Sequence, residues 1–326
     1  MGHGETMQMR DRPVNLPCTG IASFCKSPIV DDLEAVAADV AVLGIPWDEG
    51  VSFRPGTRLG PRDIRQYSTR FAFRQRGIDE GGYWDIDLGR RFLDGLKLVD
   101  TGDVDVIYTD VTRTFDLITE SVSTLLDRGA LPVMLGGDHS ITFPIVRAFS
   151  RYRPLSVVHF DAHLDYFDSI HGVKFGNGNP IKRVSELDFV GHIVQIGIRG
   201  IRAPERLYLD SVGRGNVVIT ATRVREEGVQ ASLDRIPDLG PTFVTVDIDV
   251  LDPSIAPGTG SPEFDGLQHW QLKRLLRGVV EKSGGQVKGF DLVEVNPMMD
   301  SIGQTATVAT QVVLELLGAV MEQRKR

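Results

Sequence analysis

The sequence predicts an α/β protein built on a parallel sheet. Three observations carry that prediction. Short apolar runs rich in β-branched and aromatic residues recur at 40–45, 131–135, 155–160, 243–250 and 287–295, with the near-continuous pattern of strands buried on both faces. Segments with helical spacing alternate with them. Several runs end in acidic residues or histidine, which is where a parallel sheet gathers its active groups.

Taken in order, residues 1–39 read as an irregular arm carrying Pro13, Pro17 and Pro28. The first buried strand is 40–45, running into Pro46. The loop 47–65, WDEGVSFRPGTRLGPRDIR, is either a surface loop entering a helix at Pro61 or a wall of a crevice. Residues 85–87 form a short polar turn, and 96–104 hold a short strand. An amphipathic helix over 110–128 places Phe115, Ile118, Val122 and Leu125 on one face, and Gly129 ends it. A strand to Leu135, the turn GGDHS and a short helix over 141–150 follow. After the strand 155–160 comes DAHLD and then a long irregular segment, 166–183, of the kind that is usually functional in a compact domain. Strands at 192–198 and 216–219 precede the run 243–250. A loop rich in proline and glycine (251–266), a helix over 271–282, the strand 287–295 and a helix over 305–326 complete the chain. The closing Gln-Arg-Lys-Arg suits the negative end of that last helix.

The chain has 326 residues, 41% hydrophobic and 25% charged, an ordinary soluble globular composition. No linker, charge block or repeat divides it, so a single domain over 1–326 is expected. The longest apolar runs fall short of a bilayer span, and the first residues lack the apolar core of a secretory signal. Gly2 with Thr6 matches a short myristoylation pattern, which reads as chance. Cys18 and Cys25 fit neither a zinc knuckle nor a disulfide framework, so a reduced, cytoplasmic protein is expected. The net charge of −8 argues against nucleic acid and is compatible with a cationic substrate.

The chemistry lies at the ends of three runs. Asp161, His163 and Asp165 stand two residues apart, so in extended chain they leave from one side. Asp247 and Asp249 do the same, and Asp138 and His139 follow a Gly-Gly turn. Carboxylates gathered at buried strand ends repel one another and are costly to desolvate, so a divalent cation is the expected partner. One zinc ion takes three or four ligands. The six candidates His139, Asp161, His163, Asp165, Asp247 and Asp249 suit two ions sharing carboxylates. Their hard oxygens lean towards manganese, while the imidazoles admit nickel, cobalt or zinc. Two metals about 3.5–4 Å apart lower a bridging water to hydroxide near neutral pH. His159, within its strand, reads as a hydrogen-bonded core histidine.

The motifs GGDHS, DAHLD and DIDVLDPSIAPGTGSPE resemble those of the ureohydrolase family of arginases, agmatinases and guanidino-acid hydrolases. SFRPGTRLGPRDIR and GFDLVEVNP point to the agmatinase-like branch, and the likeness runs from about Val40 to the end. The resemblance implies a three-layer α/β/α fold with an eight-stranded parallel sheet. It implies two Mn2+ per chain, with Ni2+ the alternative, and hydrolysis of a guanidino compound to urea and an amine by attack of a metal-bridging hydroxide. His139, Asp161, Asp165 and Asp247 would hold one ion, and Asp161, His163, Asp247 and Asp249 the other. Asp165 would also pass a proton to the departing amine, and Glu294 would bind the guanidinium. A homo-trimer or homo-hexamer is implied as well.

One departure stands out. Where the family usually carries a histidine before a glycine after DAHxD, this chain has Asn177-Gly178-Asn179-Pro180. Asn177 can hydrogen-bond but cannot titrate. Asn177 and Asn179 are thus expected to contact substrate, and His171 to supply the missing proton relay. The expected substrate is a guanidino acid such as guanidinobutyrate or guanidinopropionate, or agmatine. The alternatives are a hydrolase of guanidine or a biguanide, or a silent partner subunit on the same fold. A single-zinc deacetylase site would leave His139 and Asp165 surplus. A nucleotide-binding protein finds neither GxGxxG nor GxxxxGK[ST] after a strand.

Overall fold

The computed structural model describes residues 16–72 and 81–324; the expectations for Gly2, Thr6, Pro13 and the last two residues lie outside them. Among the described residues there are ten strands: β1 (Val40–Ile45), β2 (Tyr83–Asp85), β3 (Arg90–Phe92), β4 (Leu98–Asp103), β5 (Leu131–Gly136), β6 (Leu155–Phe160), β7 (Val190–Ile198), β8 (Val217–Thr220), β9 (Thr242–Asp247) and β10 (Val287–Val293). Eight make one sheet in the order β4-β1-β5-β10-β9-β6-β7-β8. All its neighbours run parallel, while β2 and β3 pair as a separate antiparallel hairpin.

Nine α-helices accompany the strands among the described residues: α1 (Gly60–Ser68), α2 (Val111–Asp127), α3 (Thr142–Arg147), α4 (Pro180–Ser185), α5 (Glu205–Gly213), α6 (Ala221–Glu227), α7 (Val229–Leu233), α8 (His269–Lys282) and α9 (Gln304–Arg324). They cover both faces of the sheet. In β1 every residue is buried, and alternate side chains enter opposite cores. Val40 and Val42 join Ile64 of α1, Leu272 of α8 and Val312 of α9 on one face. Ala41, Leu43 and Ile45 join Phe115 of α2, Ile145 of α3 and Ile181 of α4 on the other. Two buried faces are why these strands carry apolar residues without alternation. The result is the three-layer α/β/α arrangement with the expected eight-stranded parallel sheet.

Local signals explain the helix ends. Asp110 caps α2 by accepting from the backbone of Arg113, and Gly129 follows it with φ +77°. Pro61 sits in the first turn of α1. Helix α9 corrects one expectation, because its 21 residues are long and apolar enough to cross a membrane. Its apolar side chains are spent on the core, and 78% of its most apolar window is buried.

The largest local difference from the sequence reading concerns the strand tips. β6 stops at Phe160, and β9 stops at Asp247 before a 3-10 turn over Ile248–Val250. β10 stops at Val293. Among the acidic candidates only Asp247, the last residue of β9, lies on a strand; Asp161, Asp165, Asp249 and Glu294 lie beyond the strand ends. They converge because β5, β10, β9 and β6 are the four central neighbours of the sheet, and each ends at the same edge.

Candidate metal centre

The turn after β5 brings His139 to that edge. A Cβ on Gly137 would collide with the backbone of Trp47, so the turn admits only glycine there. Asp138 is not a ligand. Its carboxylate accepts from the backbone N–H of Ser140 (2.8 Å) and Gly50 (2.7 Å), which pins the loop after β1 against the GGDHS turn. Burial pushes the Asp138 carboxyl up to about 6. Through Ser52, the same loop lines the cleft above the strand tips, so both readings of 47–65 describe part of it.

His139 Nδ1 lies 3.1 Å from Asp161 Oδ2, 3.1 Å from Asp165 Oδ2 and 3.2 Å from Asp247 Oδ2. Its other nitrogen, Nε2, lies 3.0 Å from Thr245 Oγ1. The hydroxyl protons behind it settle the tautomer. Thr142 donates to Asp291 Oδ2 (2.8 Å), so the 3.3 Å contact between Thr142 and Thr245 is donated by Thr245. Thr245 Oγ1 is then an acceptor for His139 Nε2–H, and the neutral ring turns its Nδ1 lone pair towards the three carboxylates. A lone pair and three acids facing one point demand a positive charge there. In the metal-free chain a proton meets that demand. Burial works against the imidazolium, but Asp161, Asp165 and Asp247 outweigh it and hold His139 well above the ordinary histidine value.

A second group adjoins the first. His163 Nδ1 lies 3.3 Å from Asp161 Oδ1 and 3.2 Å from Asp249 Oδ2. Burial opposes its charge, yet Asp249 and Asp161 push His163 up to about 12. Asp161 thus gives one oxygen to each histidine. It is steadied by His159 Nε2 at 2.7 Å, whose Nδ1 accepts from the Gln195 amide at 3.1 Å, while Gln195 Oε1 accepts from Ser211. His159 is therefore a positioning residue, in keeping with its reading as a core histidine. Burial alone would raise the Asp161 carboxyl, but His159, His139 and His163 take it well below the carboxylate range. Burial and the neighbouring acids drive Asp247 well above that range and raise Asp165. Two donor groups stand at this edge, His139, His159, Asp161 and Asp165 in one and Asp161, His163 and Asp249 in the other, with Asp247 3.2 Å from His139, and together they fit a pair of divalent cations in charge and in donor chemistry.

Two of the acids reach this centre through unusual backbone. Asp165 has φ +47° and Glu294 φ +64°, left-handed conformations rarely adopted by non-glycine residues. Glu294 Oε1 accepts from the His139 backbone (2.9 Å) and from Asn177 Nδ2 (3.3 Å). Burial, then the charge on Asp138, pushes its carboxyl up to about 8. Neither Arg54 nor Arg58 neutralises it: Arg58 pairs with Asp48 and Glu49, and Arg54 stacks on Phe53.

The long loop divides the remaining expectations. Asn177 lines the cleft with Asp165, Asp247, Asp249 and Glu294. Asn179 does not. It is fully buried, its Oδ1 accepts from Gly176 (3.0 Å), and its Nδ2 donates to the Phe167 carbonyl (2.7 Å). Its amide closes the loop and lies buried outside the cleft lining, which corrects its assignment to substrate. His171 is exposed on the loop and is not among the cleft-lining residues, so the structure does not bring it to the carboxylates.

Sequence reasoning missed the supporting layer. Arg199 donates to backbone carbonyls on both sides of the β9 tip, among them those of Asp249 (2.7 Å) and Glu263 (2.8 Å). Thr245, Thr142 and Asp291 form the chain behind His139. Replacing Thr245 with valine keeps the strand shape and removes the acceptor for His139 Nε2–H. We expect metal affinity to fall about 10–100-fold, measured by competition with a chelator, with the fold unchanged by circular dichroism.

Comparison with known proteins agrees with this geometry. The model of the family described as "Arginase family" matches residues 38–318. A guanidinopropionase from Pseudomonas aeruginosa is 36% identical over 316 residues, covering 94% of each chain. The solved structure of proclavaminate amidinohydrolase from Streptomyces clavuligerus superposes with a TM-score of 0.80 at 34% identity, covering 94% of this chain and 98% of that one. A hypothetical agmatinase from Burkholderia thailandensis does so with a TM-score of 0.80 at 32% identity, covering 95% and 93%. With a family model matching residues 38–318 and relatives above 30% identity along nearly the whole chain, this chain belongs to the arginase family of ureohydrolases, in its agmatinase-like branch.

Proposed function

We propose that this amidinohydrolase of guanidino compounds works with two divalent cations and releases urea and an amine. His139, Asp161, Asp165 and Asp247 would hold one ion, and Asp161, His163, Asp247 and Asp249 the other. The observation that carries this is the placement of Asp161, whose two oxygens face two different histidines. When bound, the ions supply Lewis acidity and make water nucleophilic near neutral pH. The hard, oxygen-rich donor set favours Mn2+ over Ni2+.

The protein's own residues do the rest. Glu294 stands at the cleft floor as an acceptor for a planar guanidinium, and Asn177 holds its carboxylate in place. A bound guanidinium supplies the charge partner that Glu294 lacks, and so draws its raised pKa down. Asp165 borders the same floor and is placed to hand a proton to the departing amine. The reading draws support from relatives named for agmatine, guanidinopropionate and guanidinobutyrate cleavage. A urea-release assay tests it across agmatine, arginine, guanidinobutyrate, guanidinopropionate, guanidine and a biguanide, each with Mn2+ and with Ni2+. Urea from at least one substrate, only in metal-loaded protein, is the expected outcome; no urea under any condition overturns the reading.

A further inference from the structure

The cleft above the strand tips is electrostatically lopsided. Its floor is acidic, formed by Asp165, Asp247, Asp249 and Glu294. Its wall is neutral where Ser52, Phe167, Ile170 and Leu207 line it. His163 stands among the floor acids, and among the described residues the lining also has two arginines, Arg199 and Arg202. Their situations differ. The guanidinium of Arg199 is spent on six backbone carbonyls, those of Phe264, Gly197, Val250, Asp249, Leu251 and Glu263. Arg202 follows on the loop after β7, is exposed, and makes no hydrogen bond or ion pair with any described residue.

A free guanidinium on a concave wall offers a rigid fork of donors that matches a carboxylate two bonds at a time. From this we propose that Arg202 is a specificity-determining residue, which receives the carboxylate tail of a guanidino acid while the guanidinium end rests on the acidic floor. The proposal rests on the amidinohydrolase reading above and adds the substrate class. A tail ending in an amine, as in agmatine, would set two cations against each other at the mouth, so the same residue rejects it. The alkyl segment between the two charges would run along Phe167, Ile170 and Leu207.

The test compares wild type, Arg202→Gln and Arg202→Glu, all Mn2+-loaded, on guanidinobutyrate, agmatine and butylguanidine, whose tail carries no charge. Arg202→Gln is expected to raise KM for guanidinobutyrate about tenfold or more, with kcat changed little and butylguanidine unaffected. Arg202→Glu is expected to turn preference towards agmatine. Calorimetric binding of guanidinobutyrate to wild type and Arg202→Gln gives a second readout that needs no turnover, with the same loss expected. Equal binding by the two proteins, or an unchanged guanidinobutyrate-to-agmatine ratio with butylguanidine still cleaved, overturns the role of Arg202 and leaves the reaction standing. Loss of butylguanidine cleavage in wild type counts against the reaction, and the binding comparison then still decides Arg202.

Discussion

Asp161→Asn will abolish paired metal binding and lower kcat/KM on the order of 10²–10³-fold or more. The substitution changes almost no volume, so packing is preserved and the effect is electrostatic. Asp161 is fully buried, and its two oxygens reach His139 Nδ1 (3.1 Å) and His163 Nδ1 (3.3 Å). An amide removes the negative charge and leaves one end a donor, so one of the two groups loses its shared ligand outright. Metal analysis of the purified variant is expected to give less than the wild-type content, with activity falling in step. A variant that kept full metal content and full activity would remove Asp161 from the centre and with it the two-cation reading.

Stripping the metals will make stability depend steeply on pH, and the sign follows from the raised groups. In the metal-free fold His163 is carried to about 12 and Glu294 to about 8, while His139 and Asp247 are displaced in the same direction. Each then keeps a proton that the unfolded chain has already released. The stability from the histidines is fully present below their ordinary value and is lost as pH rises through the folded values. Asp161 runs the other way: its contribution is present above the ordinary carboxylate range and lost on acidification. The stripped protein should therefore weaken from about pH 4.5 to about 8 through Glu294, and from about 6.5 towards about 12 through His163. Divalent cations expel these protons, so apparent metal affinity should rise about tenfold per pH unit for each proton displaced. Thermal melts with and without chelator check this, and the gap between their midpoints is expected to widen with pH. A constant gap would contradict the assignment of His139 and His163 as metal ligands.

How much of this was written plainly in the chain depended on what each residue displaced. β1, β5, β6, β9 and β10 were legible because burial on two faces demands apolar residues at nearly every position. An acid interrupting such a run is conspicuous, and that is why Asp161, Asp247 and Asp249 could be picked out. Their route to one another was not legible. Extended spacing suggested one side of a strand, whereas the chain bends after Phe160, coils at Ile248–Val250 and turns left-handed at Asp165 and Glu294. The supporting layer was hidden for another reason. Thr245 is an ordinary β-forming residue, and Gln195 sits inside an otherwise apolar strand, so neither announces a partner in its own neighbourhood. Helices α4 to α7 and the β2–β3 hairpin went unread. Asn179 looked like a substrate contact for want of any sign that the loop needed its amide for closure.

β10 separates β5 on one side from β9 on the other, and it is the last strand to be made. Within the sheet, the β4-β1-β5 half and the β9-β6-β7-β8 half hydrogen-bond to one another only through this strand. A chain lacking β10 would keep every candidate ligand, since all of them precede it, and would lose the strand that sets the spacing of His139 from its acids. The strand that carries Glu294 at its tip is thus also the spacer of the whole centre.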